Sequence, residues 1–241
     1  MLEQLVTTII ILVCSFPVAF AFRRKGDVDF KKGILHSSLY HIFYVILIYL
    51  PITLSFLSIP GSSMNWSGKI LGIIFSVAVF LKVKNNSIFL DYLTAFKMGK
   101  ARKRILIVGG ITVAVMCLLT ITFSGNKEPN IEKLIYQLII PGLDEEIWRG
   151  LLLGFLVLIL KDGKFKFGHP ALWITTLIFA LGHSLYFQNW QIGFAIDAFI
   201  ISGVLGYILG WMTLFSKSIL PALIFHNLIN FSTNFIEMYL L

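Results

Sequence analysis

The chain has 241 residues, of which 57% are hydrophobic and 13% are charged, and its mean hydropathy is +0.86. Since a soluble domain carries about 25% charged residues, this composition excludes a soluble protein and indicates a polytopic membrane protein. The net charge of +8 comes from Lys and Arg residues in short loops between apolar segments, and no nucleic-acid-binding motif accompanies it. We therefore predict an all-α membrane protein.

Apolar segments follow one another along the whole sequence. A transmembrane helix needs roughly 20 mostly apolar residues, and we identify eight candidates. No repeat or long linker separates them, so residues 1–241 are predicted to form a single transmembrane domain. The predicted spans lie at about 5–22, 36–58, 67–83, 105–124, 136–160, 171–187, 192–215 and 219–240.

Basic residues mark alternate loops of this sequence. They follow spans one, five and seven and precede span four, whereas the intervening loops carry far less positive charge. Because basic loops stay in the cytoplasm, we predict a multi-pass protein of the cell membrane with both termini outside. The polar segment 85–100, with its scattered apolar residues, is predicted to lie along the inner membrane surface. The basic residues of these four loops are Arg23, Arg24, Lys25, Lys31, Lys32, Lys97, Lys100, Arg102, Lys103, Arg104, Lys161, Lys164, Lys166 and Lys217.

A charged motif lies within span five, directly before an uncharged run, Leu151–Leu160, that suits contact with lipid. The motif reads Asp-Glu-Glu-Ile-Trp-Arg and covers residues 144–149. Charged side chains in a membrane are costly, so such residues are candidates for function. Glu145 and Arg149 share a helix face, and Glu146 points about 100° away. One acid can be neutralised by arginine while another faces a cavity, or all can form a satisfied ion cluster.

Two later spans add polar side chains that could meet these acids. His183 stands one turn after Phe179 on the same face of span six, and His226 stands one turn before Asn230 in span eight. Hydrolysis by activated water needs a base, a second group that handles protons, and donors to the oxyanion, and this set can supply all three. Each histidine taken alone is equally consistent with a packed, hydrogen-bonded residue.

Other polar and small residues are predicted to have structural roles. His41 is expected at a membrane interface, and Asp197 at a wet rim of the molecule. Gly203, Gly206 and Gly210 form a ridge of small residues in span seven that suits close helix packing.

The motifs together resemble the CAAX-protease and bacteriocin-processing (CPBP, or Abi) family of intramembrane proteases. Its pattern is Glu-Glu-x-x-x-Arg, then Phe-x-x-x-His, then His-x-x-x-Asn. The second and third motifs match at 179–183 and 226–230, whereas in the first motif the acidic pair falls on either 144–145 or 145–146. The resemblance implies N-terminal helices at 1–124 and a catalytic core at 130–235.

The resemblance also implies the activity, a glutamate-dependent endopeptidase that acts on membrane-bound proteins or peptides. It implies no metal and no other cofactor. Its site residues would be Glu145 with Glu146 and His183, which activate water, and His226 and Asn230, which hold the oxyanion. Arg149 would fix the acidic helix and Phe179 would orient the site, with Asp144 as the alternative base.

Three other functions are compatible with the same residues. A zinc-dependent membrane protease could use the same Glu and His side chains, although no His-Glu-x-x-His string occurs. A non-catalytic scaffold or immunity protein of this family is favoured by the aspartate at position 144. A small transporter would need a continuous polar path, for which spans one to four offer little material.

Overall fold

A computed structural model describes residues 1–23, 29–94, 102–160 and 168–241, and these ranges are mostly helical. Eight α-helices, one 3-10 turn (Ser55–Leu57) and one two-stranded hairpin make up the fold of the described residues. The helices are α1 (Leu2–Ala21), α2 (Phe30–Thr53), α3 (Trp66–Val83), α4 (Arg102–Phe123), α5 (Ile131–Ile159), α6 (Pro170–Ser184), α7 (Ile196–Ser216) and α8 (Leu220–Tyr239). The strands are β1 (Leu185–Gln188) and β2 (Gln191–Phe194).

The membrane class is confirmed, and the number of clearly apolar spans is smaller than predicted. Five helices, α1, α2, α3, α4 and α7, are long and apolar enough to cross a membrane, and α6 is a shorter apolar helix. The remaining two, α5 and α8, carry the acids and arginine of the first motif and the histidine and asparagine of the third. The polar residues of the predicted site therefore lower the hydropathy of the two helices that carry them.

The all-α prediction missed the hairpin between α6 and α7. The predicted spans six and seven extended into residues 185–194, which instead form two antiparallel strands with Leu185 opposite Phe194. Asn189 and Trp190 make the turn with φ angles of 51° and 62°. A two-residue turn with positive φ at both positions matches the twist of paired strands. Because the strand residues are apolar, the predicted spans continued into them, and composition alone did not reveal the turn.

Helix α5 is a central helix of the fold, packed against α2, α3, α6 and α8. Its apolar run was interpreted as suited to lipid, but Leu151, Leu152, Leu153, Phe155 and Leu156 are only 0–1% exposed. The reason is that neighbouring helices enclose α5 and take the place of lipid. The charged motif is consequently held inside protein, where partners from other helices can reach it.

Helix α5 passes through Pro141 without ending. Proline removes one backbone donor and disturbs the preceding turn. The side chain of Asn227 on α8 compensates, because its Oδ1 accepts from the Gly142 N–H (2.7 Å) and its Nδ2 donates to the Ile139 carbonyl (3.2 Å). This contact fixes α8 against α5 one turn before the acids.

Gly142→Ala is expected to destabilise the protein by about 1–3 kcal/mol, because it overpacks this contact. A Cβ at position 142 would lie 2.5 Å from Asn227 Oδ1 and 2.8 Å from the Leu223 carbonyl oxygen. Thermal unfolding in detergent measures the effect. The matched control is Gly110→Ala in α4, where nothing lies within 4 Å of the added Cβ, and an equal loss of stability in both variants would contradict the prediction.

The glycine ridge of α7 packs as predicted, against α6. A Cβ at Gly206 would lie 2.9 Å from Phe179, and one at Gly210 would lie 2.6 Å from Leu172. These glycines therefore allow the backbone of α7 to approach the α6 side chains closely. The approach brings the Gly206 carbonyl within reach of the charged motif on α5.

Several of the predicted basic loops meet at one end of the described fold. Arg23 and Leu160 form an isolated β-bridge, and the Ile219 N–H donates to the Tyr92 carbonyl. In the segment predicted along the membrane surface, Ile88, Phe89, Tyr92 and Leu93 are buried, and Phe89 and Leu93 lie next to Gly154 and Gly150 of α5. Residues 95–100 of this segment, with Lys97 and Lys100, and the predicted basic residues Arg24, Lys25, Lys161, Lys164 and Lys166 lie outside the described residues. The orientation in the membrane stays a prediction.

Candidate active site

The acids of α5 and the histidines of α6 and α8 meet around one carboxylate oxygen. Glu145 Oε2 lies 3.8 Å from His183 Nε2 and 3.7 Å from His226 Nε2. Both distances exceed a direct hydrogen bond and are of the length that a single water bridges. The predicted convergence of three helices on one site is present in the structure.

Each histidine has its second ring nitrogen fixed by a hydrogen bond. His183 Nδ1 lies 2.8 Å from the Phe179 carbonyl, and His226 Nδ1 lies 2.8 Å from Glu146 Oε1. Because a carbonyl and an ionised carboxylate only accept hydrogen bonds, both Nδ1 atoms carry the proton. The Nε2 atoms of both rings face Glu145 Oε2.

Arg149 pairs with a different acid from the one that helix geometry suggested. Its Nη2 lies 3.0 Å from Glu146 Oε1, three residues earlier, and its Nη1 donates to the Gly206 carbonyl (2.9 Å). The guanidinium also stacks on Phe179, 4.2 Å from the ring centre. Glu146 is thus the acid that pairs with Arg149, and Glu145 is the acid that lies near both histidines. The i,i+4 spacing did not predict the acid that pairs with Arg149, because the arginine side chain extends toward Phe179 on α6 and the Gly206 carbonyl on α7.

Asp144 is held away from the histidines by two residues of the N-terminal helices. The Tyr44 hydroxyl donates to Asp144 Oδ2 (2.6 Å), and Lys69 Nζ lies 2.8 Å from the same oxygen. Lys69 Nζ also lies 3.0 Å from Glu145 Oε1. Asp144 is fully buried, so its charge is balanced inside the protein. Lys69 occupies one oxygen of Glu145 and leaves the other oxygen toward the imidazoles.

Asn230 lies on the same side of the site as His226. Both residues line a cavity of about 590 Å³ that also reaches Glu145 and His183. Asp197 also lines this cavity. It is exposed at the start of α7, in agreement with its predicted position at a wet rim of the molecule. Asn230 therefore shares a cavity with Glu145, His183 and His226.

Three residues outside the predicted set take part in this arrangement. Tyr44 and Lys69 balance Asp144, and Asn227 fixes the turn before the acids. The available signal for Lys69 was its position within predicted span three, because a charge inside an apolar span needs a partner. His41, which was expected at an interface, is buried and accepts from the Trp148 indole (3.2 Å).

The acids and histidines of the site are also the candidate ligands of a metal ion. In the described ranges, no group of three or more His, Cys, Asp or Glu side chains is arranged to hold a metal ion. The oxygen of Glu145 that does not face the histidines is paired with the Lys69 ammonium instead. A positive charge at this position competes with a cation for the same carboxylate.

The family comparison covers the part of the chain that carries these motifs. Residues 128–232 match the family model described as Type II CAAX prenyl endopeptidase Rce1-like. The matched stretch contains α5, α6, α7 and the catalytic candidates of α8, and it leaves out Tyr44 and Lys69. Comparison with curated proteins and with solved structures gives no further match.

Proposed function

We propose that this chain, whose residues 128–232 form a domain of the Rce1-like type II CAAX prenyl endopeptidase (CPBP/Abi) family, is a glutamate-dependent intramembrane endopeptidase. The observation that carries the proposal is the position of Glu145 Oε2 between two imidazoles from other helices. Family membership implies a protease, and this geometry supports Glu145 as its base. The substrate is a membrane-bound protein or peptide.

Water activation is assigned to Glu145 and His183. A water between Glu145 Oε2 and His183 Nε2 would donate one hydrogen bond to each and direct its lone pair at the scissile carbonyl. Glu145 takes the proton as the water oxygen bonds to the carbonyl carbon, and the carbonyl π electrons move to oxygen. The hydrogen bond of His183 to the Phe179 carbonyl supports this role, because it keeps the unprotonated nitrogen toward the water.

His226 and Asn230 are assigned to the oxyanion that this attack creates. As an imidazolium, His226 donates from Nε2, while Nδ1 remains bound to Glu146. The Asn230 amide supplies a second donor from the same cavity. Donors fixed before the reaction stabilise the developing charge without reorganising, which makes this type of contribution large.

Collapse of the intermediate completes the reaction. The oxyanion electrons reform the carbonyl, the carbon–nitrogen bond breaks, and the leaving nitrogen receives the proton that Glu145 had taken. Glu145 is thereby returned to its ionised form, ready for another water. Arg149 acts as a positioning residue, because it fixes Glu146 and thereby His226.

The proposed assignment of Lys69 is also that of a positioning residue. Its ammonium contacts Glu145 Oε1 and Asp144 Oδ2, so it directs Glu145 Oε2 toward the histidines. Asp144 occupies one of the two possible positions of the first glutamate in the family pattern. In this arrangement it is a structural partner of Lys69 and Tyr44. Helices α2 and α3 thus contribute Tyr44 and Lys69 to a site whose other residues lie within the matched region, 128–232.

Cleavage by the purified protein tests the function. The protein would be reconstituted in liposomes with membrane-anchored peptides of varied sequence, and the products identified by mass spectrometry. We expect new peptide ends with wild-type protein and none with His183→Ala or His226→Ala of unchanged thermal stability. Intact peptides after incubation with the wild type would support the non-catalytic scaffold instead.

Chelation separates the proposed mechanism from a zinc protease. We expect the initial rate to change by less than about twofold after dialysis against EDTA and 1,10-phenanthroline, because the Lys69 ammonium beside Glu145 repels a second cation at the same carboxylate. The assay is the peptide cleavage described above, together with metal analysis of the purified protein. Loss of the rate on chelation, with recovery on adding zinc, would contradict the prediction.

A further inference from the structure

The hairpin between α6 and α7 stands directly beside the proposed catalytic residues. His183, near the end of α6, precedes the first residue of β1 by two positions, and Asp197 follows the last residue of β2 by three. Asp197 lines the 590 Å³ cavity that also contains Glu145, His183, His226 and Asn230, which we call the site cavity. The base of the hairpin therefore adjoins the exposed rim of the site cavity.

The backbone hydrogen bonds of the hairpin alternate along its strands. In an antiparallel pair, every second residue bonds across to the partner strand, and the residues between direct their N–H and C=O groups outward. The two-residue turn closes on the bonded pair Gln188 and Gln191, and at the other end the Ala195 N–H donates to the Ser184 carbonyl. The outward positions are therefore residues 185 and 187 in β1 and residues 192 and 194 in β2.

The outer edge of β1 is used to attach the hairpin to α1. The outward N–H of Phe187 donates to the Thr7 hydroxyl (3.0 Å), as the alternation requires. The N–H of Asn189 in the turn donates to Glu3 Oε1 (2.9 Å). Strand β1 is thus held between α1 on one side and β2 on the other.

The outer edge of β2 is open. Within the described part of the chain, the backbones of Ile192 and Phe194 have no hydrogen-bond partner outside the hairpin. The two residues are 63% and 47% exposed. Two N–H donors and two carbonyl acceptors are therefore available along this edge.

Strand β2 lacks the features with which proteins prevent pairing at an open edge. Such edges are protected by lysine, by proline or by a bulge. The sequence of β2 is Gln-Ile-Gly-Phe, without charge or proline, and its four residues pair with β1 without a bulge. An extended peptide can add to such an edge as a further strand, with main-chain hydrogen bonds supplying the affinity.

We propose that the open edge of β2 binds the substrate by strand addition, so that an extended segment beside the scissile bond pairs with Ile192 and Phe194. The inference rests on the proposed endopeptidase function and adds the substrate class, a protein with an extended rather than helical segment next to the cleaved bond. Beyond the hairpin, the side chains of Gln137, Asn230 and Asn234 line the site cavity and offer hydrogen bonds to the same peptide backbone. Edge and cavity then form one continuous path for an extended chain.

A second copy of this chain fits the edge less well than a substrate does. The four residues of β2 span only about 14 Å. A stable interface between two proteins buries about 800 Å² on each partner, far more than one short strand edge offers. A substrate is held at the site cavity as well, so the edge has to supply only part of its binding free energy.

N-methylation of the peptide tests strand addition, because it removes one backbone donor at a time. Affinity would be measured with fluorescent peptides in a Glu145→Gln background, which reports binding without cleavage. We expect affinity to fall by about three- to tenfold at alternate positions on one side of the scissile bond, and by less than about twofold at the positions between them. No binding of the unmodified peptide, a flat profile or an equal loss at every position would overturn strand addition.

Ile192→Pro removes a donor from the protein side. The outward N–H is lost while the bonds between β1 and β2 remain, since proline is tolerated on an edge strand. We expect this variant to weaken the unmodified peptide by about three- to tenfold, whereas the matched control Ile192→Val, which keeps the N–H, should bind as the parent does. Equal affinities in the two variants at unchanged thermal stability would contradict the proposal. A dimer that Ile192→Pro disrupts, with peptide affinity unchanged, would assign the edge to a second copy and overturn it too.

Amide hydrogen exchange reports the edge without any substitution in the hairpin. In Glu145→Gln saturated with peptide, we expect exchange at Ile192 and Phe194 to slow by about tenfold or more. Gly193, whose N–H faces β1, is the internal control and should change less. Unchanged exchange at Ile192 and Phe194 with peptide bound would overturn strand addition. A wild type that binds the peptide with protection of β2 and fails to cleave it would instead overturn the endopeptidase function.

Discussion

Replacing Glu145 by glutamine is expected to lower kcat by about a thousandfold, the largest effect on activity of any single change in this protein. The amide has nearly the same shape as the carboxylate but cannot take a proton from water. The Lys69 ammonium can still bond to the amide oxygen, so α3 and α5 remain connected. The measurement is kcat for peptide cleavage in liposomes, with thermal unfolding to confirm that the variant is folded.

Two further variants make this result specific. Glu132→Gln changes an acid at the start of the same helix, where Glu132 bonds to Ser62 and the Trp66 indole, and we expect its kcat to match the wild type. Asp144→Asn removes the other candidate base. A thousandfold loss of kcat in folded Asp144→Asn, with activity retained in Glu145→Gln, would assign the base to Asp144 and contradict the proposed mechanism.

The helices could be predicted because hydropathy depends on composition over many residues. Spans one, three and four agree with α1, α3 and α4 within a few residues, and span five agrees once its amphipathic start is included. The hairpin at 185–194 could not be predicted in this way, since its strands are as apolar as the helix ends beside them. The burial of α5 inside the fold could not be predicted either, because an apolar run that faces lipid and one that is buried in protein have the same composition.

The meeting of Glu145 with the two histidines could be predicted because these residues lie on motifs with helical spacing. Phe179 and His183 are joined by the hydrogen bond that the i,i+4 spacing allows, and Glu145 reaches both histidines as the resemblance implied. Tyr44 and Lys69 could not be assigned, because their partners are about 75 to 100 residues away in the chain. A lone charge indicates that a partner exists but does not indicate which residue the partner is.

Lys69→Met is expected to lower the free energy of unfolding by about 3–5 kcal/mol, because breaking a buried ion pair leaves a charge uncompensated. Asp144 is fully buried, and without Lys69 only the Tyr44 hydroxyl would remain on Oδ2. Activity should fall as well, since Glu145 loses the contact that directs Oε2 toward the histidines. Chemical unfolding in mild detergent and kcat of the folded fraction measure the two effects.

The double variant Lys69→Met/Asp144→Asn separates charge balance from packing. Removing both charges eliminates the unpaired Asp144 carboxylate and leaves only Glu145 without its lysine contact, so we expect the double variant to recover about 2 kcal/mol or more relative to Lys69→Met, as coupled neighbours do. Lys82→Met, an exposed lysine of the same helix, is the control and should change stability by less than about 0.5 kcal/mol. Additive losses in the double variant would mean that Lys69 and Asp144 do not stabilise each other. The ion pair would then fail to explain how the N-terminal helices hold the acidic motif in place.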